Sequence, residues 1–402
     1  MKVLCLIDRL CTPGGAERQL VTLARALTAR GHECTIAALF PGSDLANDLP
    51  AWGIQFHELR VPFRRDFVGA AMRLARLIRS GRFDVVQAHL LSSCIASGLS
   101  RTLAPRPPRA VVLHNLDYAI YPARTIRQKA LRSLHRFSLR RLTDGVVAVS
   151  DSVARHYKNE MGIRRITVIP NSIELGSPPE TFLAGREKLR KELGLDAGTN
   201  LLAYSARMVK QKGHFPLLRT LELLRSRGVA PKVMLIGSGP LEPEIRAAIK
   251  SAGLESQVIM TGNIPYAEAL RHIAAADLFV SPSSQEGFGL AIAEAMALGV
   301  PVVAVAVGSV PEVVEDGVSG LLVSPGGPDL LAEAVARVLA DRNLRRTIGA
   351  AAQERIQKRF TPPVIAERWE AYFNELAASR VRRTLEPTQA PASARFESNG
   401  SP

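Results

Sequence analysis

Asp277-Leu278-Phe279-Val280-Ser281-Pro282-Ser283-Ser284-Gln285-Glu286-Gly287-Phe288-Gly289-Leu290 opens the stretch that decides the fold, and residues 291–305, with Glu294, Gly299 and Pro301-Val302-Val303, complete it. The first part reads as a short buried strand that stops at Pro282, because proline cannot donate to a sheet ladder. A polar, glycine-containing loop follows. Residues 290–298 have helical composition, rich in Ala with Leu, Met, Ile and Glu. Gly299 fits the cap of that helix and Pro301 the stop beyond it. The loop therefore joins the C-terminal end of a strand to the N-terminal end of a helix. Open α/β sheets bind ligands at that edge, and a helix start there favours an anion.

Glu286 and Glu294 bracket the turn, with seven residues between them. If the helical path reached back to Glu286, eight positions at about 100° each would place both carboxylates near one face, roughly two turns apart. The N–H groups of Phe288, Gly289 and Leu290 would then face a phosphate, and each glutamate would reach a hydroxyl-bearing group. A sugar nucleotide is polyol, diphosphate and polyol in that order. Glu294 stands in an apolar run, where a lone charge is costly without a partner.

The stretch resembles the E-x7-E motif of the retaining glycosyltransferases of family 4, through Ser281-Pro282-Ser283, Glu286-Gly287-Phe288-Gly289-Leu290, Glu294-Ala295-Met296-Ala297, Gly299 and Pro301-Val302-Val303. The resemblance implies the GT-B fold: an α/β architecture of two Rossmann-like, doubly wound domains facing a central cleft, with a C-terminal helix crossing back to the N-domain.

A chain of 402 residues holds two domains and ample core. No apolar run reaches the roughly 18–20 residues of a membrane span. The start, Met1-Lys2-Val3-Leu4-Cys5-Leu6-Ile7-Asp8, is charged again too soon for a signal peptide. Cys5, Cys11, Cys34 and Cys94 lack metal or disulfide spacing, which suits a reducing cytoplasm. The net charge of +15 is uneven: residues 1–175 hold 26 Lys and Arg against 13 Asp and Glu, and the remainder 26 against 24. That asymmetry implies an anionic partner for the first half.

Residues 3–7, 34–39, 85–89, 110–114, 145–150 and 166–169 are strand-like, with helical stretches between several of them, the pattern of a parallel doubly wound sheet. His89, His114, Ser150 and Asn171 lie at or just beyond strand ends, where such a sheet collects functional groups. After the first strand, Pro13-Gly14-Gly15 precedes a helix through Ala29, and two glycines there let backbone approach a ligand closely. By resemblance, Gly15 approaches the donor diphosphate and His114 borders the donor sugar near its reacting carbon. His89 reads as structural. Ser172 stands where the family has glycine after Asn171.

Residues 124–141 carry Arg124, Arg127, Lys129, Arg132, Arg136, Arg140 and Arg141, with no acid between Asp117 and Asp144. Ile126, Ala130, Leu134 and Phe137 recur at helical spacing. Two readings stand: a helix on an anionic membrane surface, or a solvated basic face. In both, the apolar stripe serves the core, and the uncompensated charge favours the membrane. No aromatic-interleaved basic stretch or known module points to nucleic acid.

The region 174–199 reads as the interdomain connection. A second series of strands and helices begins at Asn200. Residues 201–206 form a strand leading into Arg207-Met208-Val209-Lys210-Gln211-Lys212-Gly213, where Arg207 and Lys212 could face one diphosphate. In the family this pair binds the pyrophosphate; Ala206 replaces the usual glycine. Gly237-Ser238-Gly239-Pro240 matches the family's Gly-x-Gly-Pro turn, and Gly262 marks the strand end that in the family meets the nucleotide base. Pro311-Glu312-Val313-Val314 and residues 317–323 resemble its last loop and strand, and residues 328–360 read as helical. The expected division is 1–175 for an acceptor-side domain, 176–361 for a donor-binding domain, 362–378 for the crossover helix and 379–402 for a disordered tail.

The resemblance, over residues 1–378, implies transfer of a hexose from a nucleoside diphosphate sugar to an acceptor hydroxyl with the anomeric configuration retained. Arg207 and Lys212 would stabilise the leaving group, Glu286 orient the sugar and Glu294 hold ribose. No cofactor or metal is expected. The basic first half suggests a lipid-linked or cell-surface glycan acceptor at the cytoplasmic leaflet. A sugar-nucleotide epimerase of the same fold and a non-catalytic sugar-nucleotide-binding protein are the competitors.

Overall fold

The computed structural model describes residues 1–11, 14–120, 122–196 and 198–385, with side chains described as far as residue 379. Pro13 and the tail beyond Leu385 lie outside the described residues.

Two parallel sheets organise these residues. The first contains β1 (Lys2–Ile7), β2 (Glu33–Ala38), β3 (Gln55–Glu58), β4 (Val85–His89), β5 (Arg109–Leu113), β6 (Gly145–Ala148) and β7 (Thr167–Val168), in the order β3-β2-β1-β4-β5-β6-β7. The second contains β8 (Leu201–Ser205), β9 (Lys232–Ile236), β10 (Val258–Gly262), β11 (Leu278–Ser281), β12 (Val302–Val305) and β13 (Leu321–Val323), in the order β10-β9-β8-β11-β12-β13. The strands nearest the middle of each sheet are rich in Val, Ile, Leu and Ala and buried, as parallel strands covered by helices on both faces require. The order reverses between β1 and β4 in one sheet and between β8 and β11 in the other. A crevice opens at each reversal, at the C-terminal strand ends.

The region 174–199 is more than a connector. Its helices Pro179–Ala184 and Arg186–Glu192 pack on the helix Tyr266–Ala275, and Arg186 and Arg190 pair with Asp277, whose carboxylate also accepts from the Leu201 N–H at the start of β8. Residues 328–360 form two helices, Pro328–Ala340 and Arg342–Arg359, divided at Asp341, which caps the second by accepting from the Leu344 N–H at 2.9 Å.

The last helix, Pro362–Leu385, runs beyond residue 378, so residues 379–385 are helical where a disordered tail was expected. It returns to the first sheet: Tyr372 lies against Gly145 on β6, and Glu370 pairs with Arg30 and His32 at the end of the helix Gly15–Ala29. The chain thus crosses between lobes twice, near residues 173 and 360. The two crossings touch, with the Ile173 N–H donating to the Phe360 carbonyl at 2.7 Å.

Candidate functional site

The loop 282–289 does not continue the helix backwards. The helix spans Leu290–Ala297, and Gly289 before it has φ +85°, a left-handed conformation that favours glycine. The eight-position helical count between Glu286 and Glu294 therefore does not apply. Glu286 is held by tertiary contacts instead. Its carbonyl accepts from the Ser309 N–H at 3.2 Å, and Gly308 packs so closely that a Cβ there would lie 2.2 Å from the same oxygen.

Glu286 is 9% exposed, and its Oε1 accepts from Lys212 Nζ at 2.6 Å. Lys212 is aimed by its backbone: buried Tyr204, on β8, donates to the Lys212 carbonyl at 2.5 Å. Gly213 (φ +68°) lies where a Cβ would be 2.3 Å from the Pro282 carbonyl. The loops after β8 and β11 thus lock together at the reversal of strand order, and the carboxylate and ammonium meet there. Arg207, on the same loop, is exposed and makes no side-chain hydrogen bond or ion pair among the described residues.

Glu294 is 7% exposed and takes its partners from both lobes. Tyr266 OH lies 3.1 Å from Glu294 Oε1 and 3.2 Å from the Glu174 carbonyl, so one proton serves two acceptors. Arg18 Nη2 is 3.6 Å from Glu294 Oε1, and its guanidinium stacks 3.8 Å from the centre of the Tyr266 ring. Burial pushes the Glu294 carboxyl above its ordinary range, and Arg18 and the Tyr266 hydroxyl pull it back in part.

Across the crevice, His114 follows β5. Its Nε2 lies 2.8 Å from Nδ1 of His89 at the end of β4, and the rings stack with centroids 5.1 Å apart. Burial pushes His114 down to about 4 and His89 well below its ordinary value, so both are neutral at pH 7 and one donates to the other. His89, read as structural, is thus the direct partner of His114. Both line a cavity of about 300 Å³ that also meets Asn171 and Trp369.

The lobes touch at this point. A Cβ on Gly287 would lie 2.3 Å from the His114 carbonyl, and one on Gly15 would lie 2.9 Å from Leu290 Cδ1. Ser150 Oγ donates to the Gly287 carbonyl at 2.7 Å. Glu312 of the second lobe accepts from the N–H groups of Asp151 (2.7 Å) and Ser152 (2.9 Å), at the start of the helix Asp151–Met161. A carboxylate there meets both free donors and the positive end of the helix dipole. The structure thus gathers Gly15, His114, Glu286, Phe288, Gly289, Leu290, Glu294 and Lys212 along the contact between lobes. Gly237 bridges to Gly262, and its Cβ would lie 2.5 Å from the Ala206 carbonyl. Gly262 (φ +67°) has nothing within 4 Å of a would-be Cβ.

Arg18, Tyr266 and Glu312 are partners that sequence reasoning did not single out. Glu312 sits inside a quoted motif and Arg18 in the helix Gly15–Ala29, but only tertiary packing reveals what each faces.

The basic helix spans Ile126–Phe137 and differs from its expectation. Its stripe does not serve the core: Ile126 is 86% exposed, Phe137 52%, Ala130 exposed and Leu134 half-buried. His135 is the buried face, followed by Ser138 and Leu139 in the next turn. Periodicity tells which residues share a face, and here the shared face looks outward. Arg124, Arg127, Lys129 and Arg136 are exposed, whereas Arg132 pairs with Glu160 at 2.5 Å and lies 4.9 Å from the centre of the Tyr118 ring. No helix among the described residues is long and apolar enough to cross a membrane.

Known proteins share this architecture. The chain is 26% identical over 377 residues to the N-acetyl-alpha-D-glucosaminyl L-malate synthase of Bacillus anthracis, covering 91% of this chain and 96% of that protein. It is 27% identical over 377 residues to the GDP-mannose-dependent alpha-(1-6)-phosphatidylinositol monomannoside mannosyltransferase of Mycobacterium tuberculosis, covering 88% and 91%. The crystal structure of Anabaena HepE in complex with UDP and glucose superposes with a TM-score of 0.77 at 23% identity, over 93% of this chain and 100% of that one. A family model described as Glycosyltransferase Family 4 matches residues 13–176, and one described as Glycosyl transferases group 1 matches residues 185–355. Matched in both lobes and built on two facing parallel sheets, the chain belongs to the family 4 glycosyltransferases of the GT-B fold.

Proposed function

We propose that the protein moves a hexose from a nucleoside diphosphate sugar to a hydroxyl of a lipid-linked or cell-surface glycan, with retention at the anomeric carbon. The observation that carries this reading is the Lys212–Glu286 pair, 2.6 Å apart at the end of β8 and beside the helix start at Leu290. Breaking the glycosidic C–O bond leaves negative charge on the diphosphate and positive charge on the sugar ring. In this reading Lys212 and exposed Arg207 meet the diphosphate, with the N–H groups of Phe288, Gly289 and Leu290 beside them. Fixed donors aimed at developing charge are commonly the largest catalytic contribution. A diphosphate beside Lys212 would share the ammonium with Glu286 and leave one carboxylate oxygen to orient the sugar.

Glu294 would hold ribose, Gly15 pass the diphosphate closely, and Gly237 and Gly262 border the nucleotide. His114, neutral, would meet a sugar hydroxyl near the reacting carbon. The acceptor attacks from the side the diphosphate leaves, and a phosphate oxygen takes its proton, so the cationic pair supplies the charge stabilisation with no cofactor or metal. Residues 1–175 form the acceptor side and 176–361 the donor side. The relatives' names support a sugar nucleotide as donor: one is GDP-mannose-dependent, and HepE was crystallised with UDP and glucose.

An anionic membrane surface belongs to the same proposal. Ile126 and Phe137 stand exposed among Arg124, Arg127, Lys129 and Arg136. Phe63, 73% exposed beside Arg64 and Arg65, adds a second apolar and basic patch. It precedes the helix Phe67–Gly81, which packs on Leu91–Ser100, the neighbour of the basic helix. A basic helix with an outward apolar stripe binds reversibly to anionic leaflets, at about 1 kcal/mol per basic residue.

A panel of UDP- and GDP-sugars tests the reading, scored for hydrolysis and for protection against thermal unfolding. Turnover of at least one donor, lost in Glu286→Gln and Arg207→Ala with melting temperatures kept, is expected. Full turnover in both variants, or formation of an epimer without any acceptor, overturns it.

A further inference from the structure

Glu294 stands in the mostly apolar helix Leu290–Ala297, where a buried charge without a partner is costly. Its partners come from two elements. Tyr266 OH reaches Oε1, and the ion pair that Glu294 makes among the described residues is with Arg18, whose Nη2 stands 3.6 Å from the same oxygen. Oε2 makes no hydrogen bond among the described residues. The protein therefore engages one oxygen of this carboxylate and leaves the other to a ligand.

Arg18 is fixed at both ends. Its guanidinium lies 3.8 Å from the centre of the Tyr266 ring, and burial keeps that phenol protonated, so Tyr266 donates to Glu294. At its other end the helix Gly15–Ala29 is fastened to the first passage between lobes. Gln19 Nε2 donates to the Ser172 carbonyl at 2.8 Å, and Gln19 Oε1 accepts from the Ser172 N–H at 2.9 Å. Thr22 Oγ1 and Arg25 Nη1 donate to Glu174 Oε2 at 3.2 and 3.0 Å. Arg18, Thr22 and Arg25 follow one another at spacings of four and three, so one helix face carries all three. The opposite face, with Leu20, Leu23, Ala24 and Leu27, is buried in the core. One side of the helix thus serves the first lobe, and the other serves the joint and Glu294.

Arg18 belongs to the first lobe and Glu294 to the second, so their separation follows the angle between the lobes. A hydroxyl donating to Oε2 and a guanidinium beside Oε1 both favour the ionised carboxylate in one orientation, so each strengthens the other. We infer that Arg18 is a positioning residue for Glu294: it holds one oxygen of the carboxylate from across the crevice, leaves the other for the nucleotide ribose, and so ties the grip on ribose to the approach of the first lobe. The inference rests on the reading of Glu294 as the residue that holds ribose, and deepens it. Such coupling is reciprocal and commonly amounts to roughly 5–150-fold. Ribose on Glu294 therefore draws Arg18, and the first lobe with it, inward.

The test titrates UDP and GDP calorimetrically into the wild-type protein, Arg18→Met, Glu294→Gln and the double variant, and compares the nucleotide that the wild type binds more tightly. Each single variant is expected to bind it about tenfold more weakly. The double variant should match Glu294→Gln within about twofold, because Arg18 then has no carboxylate to act through. With whichever nucleotide sugar the wild type turns over, Arg18→Met should raise the donor KM about tenfold while kcat stays within about threefold. Arg18→Lys, which restores the charge without the planar stack, should return the donor KM to within about threefold of wild type. Melting temperatures show whether each variant is folded, and Arg18→Gln takes the place of Arg18→Met if that variant does not fold. Nucleotide binding by the Arg18 variant within about twofold of wild type, or a tenfold loss that persists in the Glu294→Gln background, overturns the inference while the ribose role of Glu294 stands. If Glu294→Gln binds as tightly as wild type, or the wild type binds neither nucleotide, the ribose reading itself fails and the inference falls with it.

Discussion

The carbonyl oxygen of His114 stands 2.3 Å from where a β-carbon on Gly287 would be, so the loop carrying Glu286 meets the strand end carrying His114 with no space for a side chain. Gly287→Ala is therefore expected to force the two apart by about an ångström. Misplacement on that scale can lower turnover by about 100-fold. The melting temperature should change little, because the contact lies between lobes rather than inside either. Steady-state kinetics with thermal melts checks this; turnover within twofold of wild type rejects the close approach as a catalytic requirement.

Glu294 gives a pH signature. Its carboxyl is raised by burial, so the folded state holds that proton more tightly than the unfolded chain does. Stability from this group is full below the unfolded value of 4.5 and is lost as pH rises from there through the raised folded value. Glu294→Gln should be at least as stable as wild type at pH 7–8 and show a flatter fall in melting temperature above pH 4.5. Its donor KM should rise about tenfold or more, the scale of one lost hydrogen bond to a charged group. Melts across pH 4–8 and donor titrations check both halves; a variant clearly less stable at pH 8 contradicts the sign.

Glu370 works in the opposite sense. Arg30 donates to both its oxygens, at 2.7 and 2.6 Å, and with help from His32 this holds the carboxyl down to about 2, against the cost of burial. A depressed carboxylate contributes stability above its unfolded value of 4.5, and the contribution disappears as pH falls through the folded value. Glu370→Gln should lower the melting temperature slightly at pH 7 and converge with wild type by about pH 2. The neutral-pH effect is small because Arg30 is partly exposed and solvent screens the pair. Equal melting temperatures at pH 7 would show that the last helix docks without this pair.

The outward stripe of the basic helix predicts a separable membrane phenotype. Ile126→Asp with Phe137→Asp should release the protein from vesicles containing anionic lipid while leaving the melting temperature unchanged, since neither side chain is in the core. Arg127→Glu with Lys129→Glu should weaken binding at low salt, with less difference from wild type near 1 M salt, where the Debye length is about 3 Å. Vesicle co-sedimentation decides it: equal retention of both double variants removes the helix from the membrane reading.

Much of this was legible in the residues because the decisive signals are local. A strand ending at Pro282, a loop with Gly287 and Gly289 and an alanine-rich run capped at Gly299 mark one sheet edge without knowledge of anything distant. The pairing of Glu286 with Lys212 was not legible: the residues are 74 apart, and Glu286 is oriented by Gly308 and Ser309 rather than by a helix. β3 escaped notice because Gln55-Phe56-His57-Glu58 is a short edge strand with no fully buried position. His89 read as structural because its partner is on the neighbouring strand. The stripe on Ile126 was assigned to the core because periodicity names a face without naming what lies against it.

The contact between Ile173 and Phe360 carries one more implication. Both passages of the backbone from lobe to lobe run side by side, so the halves share one narrow joint. The Phe288 ring meets Phe360 edge-on, 5.7 Å between centroids, which brings the loop of the acidic pair up against that joint. Swinging one lobe against the other would therefore press on the residues proposed to grip the sugar, and the angle between the halves would be sensed at the proposed site of bond breaking.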